Sequence, residues 1–199
     1  MSRIRVRIPL ALVLVSLLAL GASSCTSRET EGPATSDKQT ALATKLVGYD
    51  LRRIRPGAYE TSLADTFERV RKQALAQGKT ITVLFGADWC EACRTLDVEL
   101  GNVHPEQAIG HVRIFEFKEE DWLAASRMDE LNALRSRWYP IINTYPVFVL
   151  LDAEGKPVEE MRDAIDRFES LDIEPSLVNW FTSFRDQANL DANAGLAFP

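Results

Sequence analysis

Two cysteines three positions apart sit in Ala87-Asp88-Trp89-Cys90-Glu91-Ala92-Cys93, directly after the largely apolar run Ile81 to Phe85. The length and β-branched content of that run suit a buried strand. The residues that follow, Cys90 to Leu100, place Cys93, Leu96 and Leu100 on one face of a helix. The pair therefore lies where a buried strand gives way to a helix, which demands a sheet with helices packed on it. A cysteine at a helix N-terminus faces unpaired backbone N–H groups and the positive end of the dipole, which favour thiolate over thiol. Cys90 is then the exposed nucleophile. Cys93, one turn further in, is placed to resolve a mixed disulfide by attacking the Cys90 sulfur.

A lone Cys-x-x-Cys has two other readings, half of a zinc site and an inert structural disulfide. Zinc needs further ligands, and the chain has no second cysteine pair, while His104 and His111 lack the spacing of a usual partner pair. No metal site is expected. An inert disulfide needs neither the neighbouring Trp89 nor a strand-to-helix junction beneath it, and three cysteines in 199 residues are too few for a disulfide-stapled scaffold.

The rest of the chain alternates between elements. Leu63, Phe67, Val70, Ala74 and Leu75 share a helical face in a segment with Ser62 as N-cap that ends at Gly78. Val112 to Phe117 is a second strand, and a long helix is expected from Asp121 to Trp138, with Ala124, Met128, Leu131 and Trp138 as its core stripe. Val147 to Leu151 is a third strand. A turn over Ala153-Glu154-Gly155-Lys156 leads to an edge strand beginning at Pro157. Leu177, Trp180, Phe181 and Phe184 define a C-terminal amphipathic helix with Pro175 at its start. This order predicts an α/β fold in which helices flank a central mixed sheet.

The N-terminus reads as a leader. Arg3, Arg5 and Arg7 precede the uncharged run Ile8 to Ala22, which at about 15 residues is shorter than the roughly 20 that a spanning helix needs. Ala22-Ser23-Ser24-Cys25 resembles the lipobox of bacterial lipoproteins, although leucine is usual where Ala22 stands; the resemblance implies that Cys25 is lipidated. Residues 26–40 contain no large apolar side chain and read as a tether. The expected organisation is a signal peptide (1–24), a lipidated cysteine with its tether (25–40), a folded domain (41–188) and a loose tail (189–199). Removing the leader takes away three of 23 basic residues and none of 29 acidic ones, so 20 basic face 29 acidic residues for a net charge of −9. Such a surface argues against nucleic acid or anionic lipid as a partner of the folded domain. Membrane association is expected through the lipid.

The stretch Val83 to Cys93, together with Tyr145-Pro146-Val147-Phe148, resembles the thioredoxin superfamily, and Ala-Asp-Trp-Cys-x-Ala-Cys is most similar to the periplasmic thioredoxin domain of DsbD-type reductases. The resemblance covers roughly Leu63 to Phe184. It implies a thioredoxin-like fold in which Pro146 is a cis-proline lying against the cysteine pair, with Trp89 and Tyr145 beside it framing a substrate groove. Tyr139-Pro140 competes for that place but lacks a following strand. Two departures carry weight. Family members commonly place a buried carboxylate six residues before the first cysteine, where it accepts the resolving thiol's proton; this chain has Leu84 there. Asp97, one helical turn after Cys93, is the substitute candidate, since a carboxylate occurs at the matching place in the DsbD-type domain; a solvated helix residue is the other reading. The second departure is the long connection from Val112 to Pro146.

The expectation is an exported thiol-disulfide oxidoreductase in which Cys90 attacks and Cys93 resolves, anchored by lipid in the bacterial periplasm, with the outer membrane favoured because Thr26 is not the aspartate of inner-membrane retention. It needs no bound cofactor. Electrons would come from an upstream dithiol protein and pass to protein disulfide clients. Asp88 and Glu91 oppose a low thiolate pKa at Cys90, which favours a reductase with a potential nearer thioredoxin's ~−270 mV than the ~−120 mV of a strong oxidant. A Cu(I)-binding metallochaperone and a noncatalytic binding module are the alternatives.

Overall fold

The computed structural model describes residues 44–57, 61–141 and 144–185. Its elements run β1 (Leu46–Gly48), β2 (Asp50–Arg53), α1 (Leu63–Leu75), β3 (Thr80–Gly86), α2 (Glu91–Leu100), β4 (Val103–Pro105), α3 (Glu106–Ile109), β5 (Val112–Lys118), α4 (Glu119–Ala124), α5 (Met128–Arg135), β6 (Val147–Leu151), β7 (Pro157–Glu160) and α6 (Met161–Ser170). A last helix, α7, occupies residues 177–185. The leader, Cys25, the tether and the loose tail fall outside the described residues. Among the described residues no helix is long and apolar enough to cross a membrane.

Side chains alternate across a strand, and β3 is buried on both faces, so it can only lie inside a sheet covered on both sides. The strand order is β2-β5-β3-β6-β7. β2, β5 and β3 are parallel, and β6 and β7 are antiparallel to their neighbours, which makes the sheet mixed as expected. One face carries Ile81, Val83, Phe85, Phe115 and Phe117 against Phe67 of α1, Trp122 of α4 and Leu131 of α5. The other carries Leu84, Ile114 and Phe148 against Leu100 of α2, Phe168 of α6 and Trp180 of α7. β1 and β4 form a separate two-stranded ribbon.

Local signals explain the ends. The Ser62 hydroxyl caps α1 by accepting from the Asp65 N–H at 3.1 Å. Gly78 takes φ 70° just past that helix, a conformation glycine reaches without a side-chain clash. At the sheet edge Asp50 and Arg113 stand opposite each other in register, and their side chains meet at 2.7 Å.

The long helix expected from Asp121 to Trp138 is two helices, broken where Ser126 takes φ 56°. At about 100° per residue, positions nine apart on one straight helix point in opposite directions. Trp122 and Leu131 are nine apart, and both are buried in the same core. Only a break allows that, and it leaves Ala124 of the anticipated stripe exposed. α6 is not foreshadowed by the sequence reading; half of its ten residues are charged and it buries little beyond Ala164 and Phe168.

Candidate functional site

β3 ends at Gly86, and Cys90 is the N-cap of α2 with extended backbone, φ −81° and ψ 114°. Its sulfur accepts a hydrogen bond from the Cys93 N–H at 3.1 Å, so one of the helix's unpaired donors points at the cysteine. Cys90 and Cys93 form a disulfide with their Cα atoms 5.2 Å apart. The expectation of an exposed Cys90 is corrected here. It is 6% exposed and Cys93 2%, because Ala87 and Tyr145 pack over the pair.

Trp89 is 62% exposed and meets Tyr145 edge to face at 5.8 Å. The Tyr145–Pro146 bond is cis, and Tyr139–Pro140 is not. The loop before Pro146 is held from below by Arg135 of α5, which is buried. Its guanidinium donates to the carbonyls of Ile141 and, at 3.1 Å, Thr144, and lies 5.0 Å from the centre of the Tyr145 ring. The acidic start of α4 braces the other side. A Glu120 carboxylate oxygen accepts from the Asp88 N–H at 2.7 Å, and Asp121 accepts from Arg53 at 2.7 Å. Burial, then the charge and hydrogen bond of Glu119, push the Tyr145 hydroxyl above its usual range. The long connection from Val112 to Pro146 thus supplies much of the frame around the disulfide.

Beneath α2 the sheet turns polar. Leu84 is opposite Glu116 and Gly86 opposite Lys118 in the parallel register of β3 and β5. Both charged residues are 5% exposed. The Lys118 ammonium donates to Asp97 Oδ2 at 2.8 Å, and lies 3.6 Å from Glu116 Oε1 and 4.0 Å from Asp88 Oδ1. With Leu51, Arg53, Leu100 and Gly101 these groups line a cavity of about 340 Å³. Burial pushes the Glu116 carboxyl above the ordinary range against the pull of Lys118 and Arg53. Burial works against the Lys118 ammonium, but the Asp97 hydrogen bond and the charges of Glu116, Asp97 and Asp88 outweigh it and hold its pKa above the usual lysine value. On the far side of α2 a larger, mostly apolar cavity of about 670 Å³ is lined by Tyr145, Pro146, Leu96, Met161, Leu177 and Trp180, among others.

Residues 67–172, from α1 to just beyond α6, match the family of thioredoxin-like domains. The chain belongs to that family. Among solved structures, this thioredoxin-like chain is similar to a disulphide isomerase from Xylella fastidiosa Temecula1, with 21% identity over 65% of this chain and 98% of that one and a TM-score of 0.42. The oxidised C-terminal domain of Neisseria meningitidis DsbD gives 22% identity over 51% and 84% of the two chains, with a TM-score of 0.38. Thioredoxin NaTrxh of Nicotiana alata gives 17% identity over 57% and 81%, also with 0.38. No curated protein sequence matches the chain.

Of the residues singled out from the thioredoxin-like motif, the fold gathers Trp89, Cys90, Cys93, Tyr145 and Pro146 at one end of the sheet. Asp97 lies one turn below, paired with Lys118 and 41% exposed in its side chain. His104 sits away from the pair, 3.2 Å from Glu99 and edge-on to Tyr49, and His111 faces the Phe181 carbonyl at 3.3 Å. Glu116, Lys118, Glu119, Glu120 and Arg135 escaped the sequence reading. One signal existed for two of them: Glu116 and Lys118 fall on the same side of the strand as Val112 and Ile114, a side that a buried strand should keep apolar.

Proposed function

We propose that the chain is an exported protein-disulfide reductase, tethered to the membrane by a lipid on Cys25 and working in the bacterial periplasm, with the outer membrane favoured. One observation carries the redox reading: a Cys-x-x-Cys disulfide at a helix N-terminus, covered by the tyrosine that precedes a cis-proline. In the dithiol form the Cys90 thiolate attacks one sulfur of a client disulfide, forming a Cys90–client bond and releasing the other client sulfur as a thiolate. Cys93 loses its proton and attacks the Cys90 sulfur. The intramolecular disulfide forms, and the second client thiolate leaves. Two electrons pass from the pair to the client, and an upstream dithiol protein restores them. Trp89, Tyr145 and Pro146 frame the groove in which the client strand lies.

The reductase direction rests on charge. Asp88 and Glu91 flank Cys90, and negative charge there destabilises a thiolate and with it the reduced form. Two measurements on the full chain test the reading. The potential of the Cys90/Cys93 pair against glutathione is expected nearer ~−270 mV than ~−120 mV, and a value at the oxidising end reverses the assigned direction. Cys93→Ala is expected to accumulate mixed disulfides with periplasmic proteins through Cys90. No exchange in either experiment defeats the oxidoreductase reading. Labelling with a radioactive fatty acid that is lost in Cys25→Ala checks the anchor.

A further inference from the structure

A glycine closes β3 at the point where α2 crosses the sheet. A Cβ built at Gly86 would stand 3.7 Å from both Cδ and Nζ of Lys118 and 3.9 Å from Cβ of Cys93. The lysine head and the second cysteine therefore meet over one position that carries no side chain. Lys118 has few alternatives to this place, since its side chain is 6% exposed and is fixed by Asp97 at 2.8 Å and Glu116 at 3.6 Å. Burying an ammonium beside a disulfide contributes nothing to the disulfide itself, which has no charge. It matters once the pair is reduced and Cys93 can ionise.

We infer that Lys118 is a positioning residue of the dithiol, its ammonium facing Cys93 across the gap at Gly86 and setting how readily that thiol ionises, with Asp97 and Glu116 as the counter-ions that hold it there. This rests on the exchange reaction proposed above and assigns a residue to its second step. When the Cys93 S–H bond breaks, the proton is released to solvent, and the electron pair that stays on sulfur forms the bond to Cys90 Sγ as the Cys90–client bond breaks. The groups around this thiol act with opposite signs. Lys118 on β5 favours the thiolate, whereas Glu116 on β5, Asp97 on α2 and Asp88 in the loop before α2 oppose it. Arg53 of β2 faces Glu116 and moderates it, and the Tyr145 hydroxyl is neutral through the working range.

Opposite signs give the test, because a merely structural cluster would respond in the same way to the loss of either partner. In full-length Cys90→Ala protein, where Cys93 is a free thiol, its pKa is read from ultraviolet thiolate absorbance and from alkylation rate against pH. Lys118→Met is expected to raise that pKa by about one unit, a tenfold loss of thiolate at neutral pH, and Lys118→Arg to restore it. Glu116→Gln is expected to lower it. Gly86→Ala, whose methyl makes only ordinary contacts, is expected to raise it by less than Lys118→Met does. With both cysteines present, Lys118→Met shifts the glutathione equilibrium toward the disulfide, by less than tenfold at neutral pH and by more as the pH is raised through the Cys93 pKa. If Lys118→Met does not fold, the opposed shifts of Glu116→Gln and Gly86→Ala decide the matter. Variants that all move the pKa the same way, or leave it unchanged, overturn the inference. A wild-type chain that exchanges normally alongside such a result leaves the proposed function standing, whereas a wild type that does not exchange at all defeats that reading while the titration still reports on Lys118.

Discussion

The two faces of the β3–β5 pair are built to different ends. On the face of α1, α4 and α5 the pair carries Ile81, Val83, Phe85, Phe115 and Phe117, with one charged residue, Arg113 opposite Ile81, paired to Asp50 at the sheet edge, and Phe67 has its ring 5.9 Å from that of Phe115 and 5.3 Å from that of Trp138. On the face of α2, β5 starts apolar, with Val112 and Ile114, and finishes with Glu116 and Lys118 under the disulfide-bearing helix. A largely apolar face is the economical way to stabilise a small domain. The charged end of the other face exists at a cost in burial, so the difference separates the part of the sheet that holds the fold from the part available for chemistry.

The sharpest way to break that comparison is to empty the apolar face. Phe67→Ala removes a ring that is 1% exposed and meets Phe115 and Phe117 of β5 and Trp138 just past α5, and it is expected to cost about 3–5 kcal/mol of unfolding free energy in urea. A loss below about 1 kcal/mol would mean that the face is not the main support. Arg135→Met comes next. It strips the buried guanidinium from the Ile141 and Thr144 carbonyls, with an expected loss of about 1–3 kcal/mol and earlier proteolysis in the loop before Pro146. An unchanged cleavage pattern would show that this loop does not depend on Arg135.

How much of this the residues announced follows the same division. The strands β3 and β6 were legible because each is a short, largely apolar run, β5 because β-branched and aromatic residues make up most of it, and α1 because its stripe and cap agree. The cysteine pair and Pro146 were legible because their chemistry is local. β1 and β2 were not, being only three and four residues long and stabilised by partners far along the chain, β4 for the first and β5 with Arg113 for the second. The break at Ser126 was hidden because periodicity counts apolar positions and does not record that Trp122 and Leu131 must reach one core. The Glu116–Lys118–Asp97 cluster was hidden for a related reason. Its members come from two elements, and a charged pair on a strand looks like a solvent face until a helix is laid over it.

A smaller effect tests the rim of the site. Trp89 is mostly exposed and among the described residues its one ring contact is with Tyr145, so Trp89→Ala is expected to change stability by less than about 1 kcal/mol. If the side chain frames the client strand, that variant slows reduction of a protein disulfide while leaving exchange with glutathione near the wild-type rate. Equal slowing of both would place Trp89 in control of the cysteines themselves.

The finest distinction lies in the slope of stability with pH. Burial raises the Glu116 carboxyl, so the folded protein holds that proton more tightly than the unfolded chain does. The stability gained from this is fully present below the ordinary value of 4.5 and is lost as pH rises through the higher folded value. Asp50 at the sheet edge is the counterexample. Burial raises it as well, but the hydrogen bond and charge of Arg113, with help from Arg52, more than offset that and hold it below 3.8, so its contribution is present above that value and is lost as pH falls through the lower one. Urea midpoints of wild type, Glu116→Gln and Asp50→Asn from about pH 2 to about pH 8 should therefore diverge in opposite directions. The advantage of wild type over Glu116→Gln shrinks as pH rises from the acid end, whereas its advantage over Asp50→Asn shrinks as pH falls. Parallel curves for Glu116→Gln would mean that the carboxyl titrates in the folded protein as it does in the unfolded chain. The charged end of the sheet would then cost no more than a surface pair, and the contrast between the two faces would be one of composition alone.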